Sequence, residues 1–138
     1  MAKGHRTKIK RERNAVKDTR PRAHGRYLKI SDTKARIVLR EIVKKPVAEA
    51  SAILTYSPHY AARLIEKILD SAVANAENNL GLDPASLIVE EAYAGKGHSA
   101  QSRWRLSPRA KGQGYRIERQ VSNVSIILNE KPLAANKK

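Results

Sequence analysis

The sequence predicts an α+β domain: three helices packed on a small antiparallel sheet, with a long extended β-hairpin arm and a basic N-terminal tail. Three observations support this. Apolar residues recur at spacings of three and four in three consecutive segments between residues 31 and 79. Apolar and polar residues alternate in segments on either side of that block. A basic stretch with almost no acid separates the last two strands.

Two short helices are predicted first. The segment 31–45 has helical periodicity, with Ser31 or Asp32 as N-cap and Pro46 as its end. The segment 47–56 repeats the pattern over fewer turns. The side chains expected to face the core are Ala35, Val38, Leu39, Ile42 and Val43 in the first helix, and Val47, Ala50, Ile53 and Leu54 in the second.

The third helix has the strongest periodic signal in the chain. Ser57 supplies a capping hydroxyl, and Pro58 is suited to the first helical position. The helix is expected to run to about residue 79, where two Asn residues and Gly81 end it. Its predicted buried stripe is Ala61, Leu64, Ile65, Ile68, Leu69, Ala72, Val73 and Ala76.

Three strands are predicted, at 26–31, 87–95 and 115–129. In the second, Leu87, Val89 and Tyr93 are expected on one face. The third changes phase, which predicts a bulge at Ser122 and Asn123. Its apolar side chains of one parity are Tyr115, Ile117 and Val121, and those of the other are Val124, Ile126 and Leu128.

These elements give a single domain over 25–130, with the arm at about 94–119. The segment 1–24 is basic and has no sustained apolar period, so we expect an extension that is disordered when free. The segment 131–138 is a polar C-terminal tail.

The net charge of +15 is unevenly distributed along the chain. Residues 1–45 carry 16 Lys and Arg against 4 Asp and Glu, and residues 96–138 carry 10 against 2. Residues 46–95 carry 2 against 7 and are mildly acidic. Because the positive charge is concentrated where the chain is least able to form a core, this pattern is typical of a nucleic-acid-binding protein.

The arm has no hydrophobic face of its own. Its outer part includes the run SRWRLSPRAKGQG at 102–114, which has four cations and no acid. Isolated hairpins are marginal in water, so such an arm needs an external scaffold, which a phosphate-rich surface supplies. Trp104 offers a face for stacking on an unpaired base, and Gly112 and Gly114 allow close approach or positive φ. No helix has the residues of a major-groove reader, so folded RNA is favoured over DNA.

Other classes of protein are disfavoured. The chain has no Cys, no apolar run long enough to span a membrane and no secretory signal. Glu90 and Glu91 are adjacent in a predicted strand and are expected to point to opposite faces, so they do not predict a carboxylate pair. The four His residues have no metal-ligand spacing. We therefore predict no enzyme activity, no metal and no cofactor.

Several stretches resemble a known family. The runs ARIVLREIVKKPVAEASAILTYSP (35–58), SAVANAENN (71–79) and PRAKG (108–112), in this order and spacing, resemble the bacterial large-subunit ribosomal protein twenty-two family. The resemblance covers roughly residues 24–130, and the last two runs are its most specific parts. Before Pro108 this chain departs from the family pattern, with a longer stretch that carries a Trp.

The resemblance implies a structural component of the large ribosomal subunit. The domain would sit near the exit of the peptide tunnel, and the arm would enter the ribosomal RNA, link RNA domains during assembly and line the tunnel. The implied partners are large-subunit ribosomal RNA, neighbouring large-subunit ribosomal proteins and the nascent polypeptide, with no membrane and a monomer within the ribosome. The implied location is a cytoplasmic ribosome, and an organellar ribosome fits equally.

Charge, position and resemblance together give the candidate site residues. Those expected to contact ribosomal RNA are Arg20, Arg22, Arg26, Lys29, Lys34, Arg36, Lys96, Arg103, Trp104, Arg105, Pro108, Arg109, Lys111, Gly112, Arg116 and Arg119. Those expected at the tunnel-lining tip are Arg103, Trp104, Arg105 and Leu106. The alternative interpretation is a free-standing basic RNA chaperone or other nucleic-acid-binding protein, which would need no long arm.

Overall fold

The computed structural model describes residues 19–97, 105–117 and 119–130. Three helices pack against a three-stranded antiparallel sheet, and two further strands form a separate hairpin, so the α+β prediction is confirmed. The strands are β1 (Arg22–Leu28), β2 (Leu87–Lys96), β3 (Arg105–Pro108), β4 (Gly114–Ile117) and β5 (Ser122–Glu130), and the helices are α1 (Asp32–Ile42), α2 (Val47–Tyr56) and α3 (Tyr60–Leu80). The sheet order is β1-β5-β2, with β5 in the centre.

The helix ends follow local chemistry. Ser31 is the N-cap of α1, and its hydroxyl accepts a hydrogen bond from the Lys34 backbone N–H at 3.4 Å. The helix α1 ends at Ile42, four residues before Pro46. At the end of α3, Gly81 takes φ +65°, and its N–H bonds to the last turn of the helix, as the sequence predicted.

The start of α3 differs from the prediction. The helix begins at Tyr60, two residues after Pro58, with His59 as N-cap. The Ser57 hydroxyl accepts a hydrogen bond from the His59 N–H at 3.4 Å within the turn that precedes the helix. Ser57 therefore stabilises the turn, and the first turn of α3 has no side-chain cap.

The core lies between the helices and the sheet. Its largest fully buried side chains include Leu39, Leu54, Ile65, Leu69 and Ile126. The predicted inward positions are buried or half-buried throughout the three helices. Ala61, Ala72 and Ala76 are at most 4% exposed, and such small side chains let α3 approach its neighbours closely.

The last predicted strand is interrupted. Instead of one strand over 115–129 with a bulge at Ser122 and Asn123, the chain forms β4 and β5 as separate strands of different sheets. The register shifts of the main sheet lie elsewhere, between Gly25 and Leu28 and between Val89 and Glu91. The change of apolar phase thus reflects a change of sheet.

The shift in β2 reverses which side chains face the core. Glu90 is the extra residue between the pairs that Val89 and Glu91 make with β5. After it, Ala94 is buried and Tyr93 is 52% exposed. The prediction that Tyr93 faces inward with Leu87 and Val89 is therefore wrong, because the inserted residue moves every later side chain to the other face.

Strand β1 begins at Arg22, four residues before the predicted strand. Residues 22–24, assigned from the sequence to the N-terminal extension, pair with β5, and Ala23 is buried. Asn75 in α3 donates its side-chain N–H to the carbonyl of Arg22 at 3.0 Å. The SAVANAENN run therefore contributes both small buried residues and a hydrogen bond that fixes β1.

Candidate nucleic-acid interface

The arm contains a short antiparallel hairpin. Strands β3 and β4 pair from Arg105↔Ile117 to Pro108↔Gly114. Within residues 106–117, every side chain whose burial the structure describes is exposed, except Ser107, which is half-buried. Because this sheet is only two strands wide, neither of its faces is a protein core, as the sequence predicted for the arm.

The PRAKG run forms the closed end of this hairpin. The Arg109 N–H donates to the Gln113 carbonyl at 2.8 Å, and Ala110–Gly112 form a single 3-10 turn. Lys111 and Gly112 both have positive φ, at +61° and +70°. Gly112 therefore supplies a positive φ in the turn. Gly114 allows the Leu106 side chain to approach the backbone, because a Cβ at Gly114 would lie 2.8 Å from Leu106 Cδ2.

The turn corrects the predicted position of the tip. Arg105 and Leu106 lie in β3, at the end of the hairpin opposite to the turn, because the strand pairing closes at Arg109–Gln113. Arg103 and Trp104, the other two residues predicted at the tip, lie outside the described residues. The hairpin therefore presents Pro108, Arg109 and Lys111 around its closed end, all exposed.

Apolar side chains accompany the cations of the hairpin. Leu106, Tyr115 and Ile117 are 65%, 60% and 44% exposed. The guanidinium of Arg109 lies over the ring of Tyr115, 5.7 Å from its centroid. The alternation of the sequence predicts that Tyr115 and Ile117 share a strand face with Val121. That prediction is wrong, since Val121 is buried, whereas Tyr115 and Ile117 are exposed in a sheet to which the described residues contribute only two strands.

Tyr115 was therefore missed as a candidate contact. A Tyr among cations in a strand without a core offers a stacking face, just as Trp104 does. The signal that could have found it is the composition of the arm, which lacks enough apolar residues to form a core of its own. Arg105 in β3 is next to Leu106 in the chain, and Arg116 in β4 lies between Tyr115 and Ile117.

The arm joins the main sheet at a narrow junction. Lys96 pairs with Ser122 at the end of the β2–β5 ladder, and the Gly97 N–H donates to the Val121 carbonyl at 2.7 Å. A Cβ at Gly97 would lie 3.0 Å from that carbonyl oxygen. Lys96 itself is exposed at this junction.

The domain adds a second group of exposed cations. Arg22 and Arg26 lie in β1, Lys29 follows it, and Lys34 lies in the first turn of α1. All four are exposed. Tyr27, beside Arg26, has a positive φ of 56°, and its N–H donates to the Asn123 side chain at 2.9 Å. This hydrogen bond holds the irregular part of β1, which includes Arg26.

Two predicted RNA contacts are engaged within the protein. Arg36 Nη2 lies 2.8 Å from Asp32 Oδ2, and Arg36 Nε donates to the Ala94 carbonyl at 3.1 Å. Arg20 Nη1 lies 2.8 Å from Glu90 Oε2 and 3.2 Å from Glu91 Oε1. Arg20 and Arg36 therefore tie the N-terminal segment and α1 to strand β2.

The Arg20 contacts also correct the prediction for the two glutamates. Glu90 and Glu91 were expected on opposite faces, yet both carboxylates reach one guanidinium, because the bulge at Glu90 breaks the alternation. The hydrogen bond from Arg20 holds the pKa of Glu90 below its ordinary value, and the charges of Arg20 and Lys44 act in the same direction. The two carboxylates form part of an ion-pair cluster that fixes the N-terminal segment.

Within the described residues, no cluster of three or more His, Asp and Glu side chains could hold a metal ion. In the same part of the chain, no helix is both long and apolar enough to cross a membrane.

Comparison with known proteins identifies the family. The family model described as "Ribosomal protein L22p/L17e" matches residues 23–129. A protein of Lachnospira eligens, "Large ribosomal subunit protein uL22", is 54% identical over 131 residues, which cover 95% of this chain and all of the relative. Proteins of the same name from Lachnoclostridium phytofermentans and Agathobacter rectalis are 52% and 50% identical, again over 95% of this chain and their whole length.

The match spans β1 to β5 and includes both the helical block and the arm. It agrees with the resemblance seen in the SAVANAENN and PRAKG runs, which form the α3–β1 contact and the hairpin turn. This chain belongs to the ribosomal protein L22p/L17e family.

Proposed function

We propose that this protein is a structural constituent of the large ribosomal subunit and binds large-subunit ribosomal RNA through its arm. The single observation that carries the proposal is the hairpin of β3 and β4, which is cationic, exposed and without a core of its own. Such a hairpin is stable in one conformation when another molecule packs around it. The names of the relatives, each a large ribosomal subunit protein, agree with this role.

The arm contacts RNA in two ways. Arg109 and Lys111, at the closed end, place charges where phosphate oxygens can accept hydrogen bonds from them. Leu106, Tyr115 and Ile117 offer apolar surface that packs on bases or riboses. Since Arg109 already lies over the Tyr115 ring, the two side chains present one combined surface of charge and aromatic face.

The domain binds RNA with a second surface. The exposed cations of β1 and α1, Arg22, Arg26, Lys29 and Lys34, contact phosphates of RNA segments other than those that surround the arm. Arg20 and Arg36 orient this surface through their ion pairs with acids of the same chain. A protein held at two separate surfaces links RNA segments and thereby supports assembly.

The end of the arm borders the tunnel through which the nascent polypeptide leaves. This proposal rests on the family resemblance and on the length of the arm. The closed turn Arg109–Gln113 is the part of the described hairpin farthest along the strand pairing from the main sheet. The protein acts as a monomer beside neighbouring large-subunit proteins, in the cytoplasm of a bacterial cell or in an organelle.

Sedimentation of a native lysate tests this function. The lysate is separated on a sucrose gradient at moderate and at high salt, and the chain is detected in each fraction. We expect co-migration with the large subunit at both salt concentrations, because an arm surrounded by RNA is not released by screening alone. Recovery mainly in the light fractions would reject the ribosomal role and favour a free-standing RNA chaperone.

A further inference from the structure

A groove opens on the domain where three separate segments meet. Its volume is about 960 Å³, and it lies between the start of α1, the start of α3 and the residues before β5. The side chains that matter for its chemistry are Lys29, Lys34 and Arg119 as cations, and Ile37, His59 and Tyr60 as apolar and aromatic walls. The volume falls at the upper end of the ~300–1,000 Å³ typical of small-ligand sites.

The electrostatics of the groove favour an anion. Lys29 and Lys34 come from the start of α1 and the residues just before it, and Arg119 comes from the residues before β5; all three line the same space, and no acid is among the described residues that line it. Asp32, adjacent to Ser31 in the chain, is already paired with Arg36. The first turns of α1 and α3 both border the groove, and the first turn of α3 contains no acid. The positive ends of two helix dipoles therefore add to the side-chain charges.

The walls of the groove favour a flat ring. Tyr60 is 62% exposed and Ile37 is 49% exposed, and both line the groove. An exposed aromatic ring beside converging cations is the arrangement that stacks an unpaired base while holding its phosphate.

We propose that this groove holds one everted nucleotide of large-subunit ribosomal RNA. The base packs between Tyr60 and Ile37, and the phosphate is bound by Lys29, Lys34 and Arg119. The inference rests on the proposed function and adds to it a specific contact that shares no residue with the hairpin turn. Tyr60 and Ile37 were not among the residues that the sequence predicted to contact RNA.

Binding of purified variants to large-subunit ribosomal RNA tests the groove. Tyr60→Ala removes the stacking ring and is expected to weaken binding about 5- to 140-fold, from the ~1–3 kcal/mol of one stacked base. Tyr60→Phe keeps the ring and should bind within about twofold of the parent, since stacking needs only the ring face. Tyr56→Ala is the matched control, because Tyr56 is 87% exposed at the end of α2, four residues earlier in the chain, and does not line the groove.

The phosphate contact has its own readout. The slope of the logarithm of the binding constant against the logarithm of the salt concentration should become shallower by ~0.7–0.9 in Lys34→Gln, which is the value for one lost phosphate contact. Lys67→Gln, an exposed cation of α3 outside the groove, should leave that slope unchanged.

The outcomes separate the two proposals. If the parent does not bind large-subunit RNA, the proposed function and the groove both fail. If the parent binds and Tyr60→Ala binds equally well, only the groove proposal is overturned. Chemical probing of the parent complex supplies a second test that does not depend on a variant's folding. It should show a single-stranded nucleotide whose base becomes protected, and the absence of any such nucleotide would overturn the proposal.

Discussion

The closed end of the arm can be tested by removing its two cations together, as Arg109→Ala with Lys111→Ala. Both side chains are exposed, and neither touches the core between the helices and the main sheet. Lys111 has φ +61°, but Lys and Ala both carry a Cβ, so the replacement adds no backbone strain. The double variant should therefore separate RNA binding from folding.

The expected magnitude follows from the contacts. If each cation contacts one phosphate, the slope of the logarithm of the RNA-binding constant against the logarithm of the salt concentration should become shallower by about 1.4–1.8. This is twice the value for one contact. The lost contact between Arg109 and the Tyr115 ring is worth only about 0.5–1 kcal/mol at an exposed site. That energy stabilises the two-stranded hairpin, so the thermal melting of the domain should not change.

The assay is filter binding of large-subunit RNA over a series of salt concentrations, alongside thermal melting. Arg63→Ala with Lys67→Ala removes the same charge from the exposed face of α3 and serves as the matched control. The control should keep the parent slope. A double arm variant with the parent slope would refute the phosphate contacts, and a large loss of melting temperature would show that these residues serve the fold.

Three further predictions concern stability. Gly81→Ala should destabilise by about 1 kcal/mol in urea unfolding, because φ is +65° there, whereas Gly95→Ala, with open space around it, should not. Ala72→Leu should destabilise by about 1–3 kcal/mol, because Ala72 is fully buried. Arg20→Ala should make the free energy of unfolding depend less on pH in the acid range, as measured by urea unfolding at several pH values. Since the folded-state pKa of Glu90 is lowered, its stabilisation is present above the unfolded-state value near 4.5 and is lost as the pH falls through the folded-state value.

Each of these predictions has a contrary result. Equal stability of the Gly81 and Gly95 variants would contradict the left-handed helix end. A stable Ala72→Leu variant would show that α3 can move away from its neighbours. The free energies of unfolding of Arg20→Ala and the parent should converge at low pH. If they differ by the same amount at pH 7 and at pH 3, the ion pair with Glu90 does not stabilise the fold as we infer.

The helices were predictable because their signal is local. Ser31 caps α1 as expected, and Gly81 ends α3 as expected, since each acts on backbone groups a few residues away. The start of α3 was less predictable. Ser57 can bond either to a helical turn or to the tight turn before it, and the hydroxyl alone does not distinguish these.

The strands were less predictable because alternation says nothing about what covers a strand. Tyr115 and Ile117 alternate as buried residues do, yet they lie in a sheet two strands wide. In β2, a single inserted residue at Glu90 exchanged the two faces, and the sequence gives only the weak sign of a Glu where an apolar residue was expected.

The positive charge of the candidate site was predictable from the sequence, but its three-dimensional arrangement was not. The basic arm follows from composition, but the turn at Arg109–Gln113 needs Lys111 in a left-handed conformation that residues other than glycine rarely adopt. The ion pairs of Arg20 join residues 70 and 71 positions apart, which no local pattern reveals. The groove likewise depends on three segments that only the fold brings together.

We infer that the hairpin of the arm lies within large-subunit RNA. The chain has no Cys, so Ala110→Cys and Ser71→Cys each create a single attachment site, one at the exposed hairpin turn and one on the exposed face of α3. An iron chelate tethered there cleaves nearby RNA by releasing hydroxyl radicals in purified large subunits. We predict strong cleavage from position 110 in several RNA segments and weaker cleavage from position 71. Subunits that contain the Ala110→Cys protein but show no RNA cleavage from it would contradict the claim.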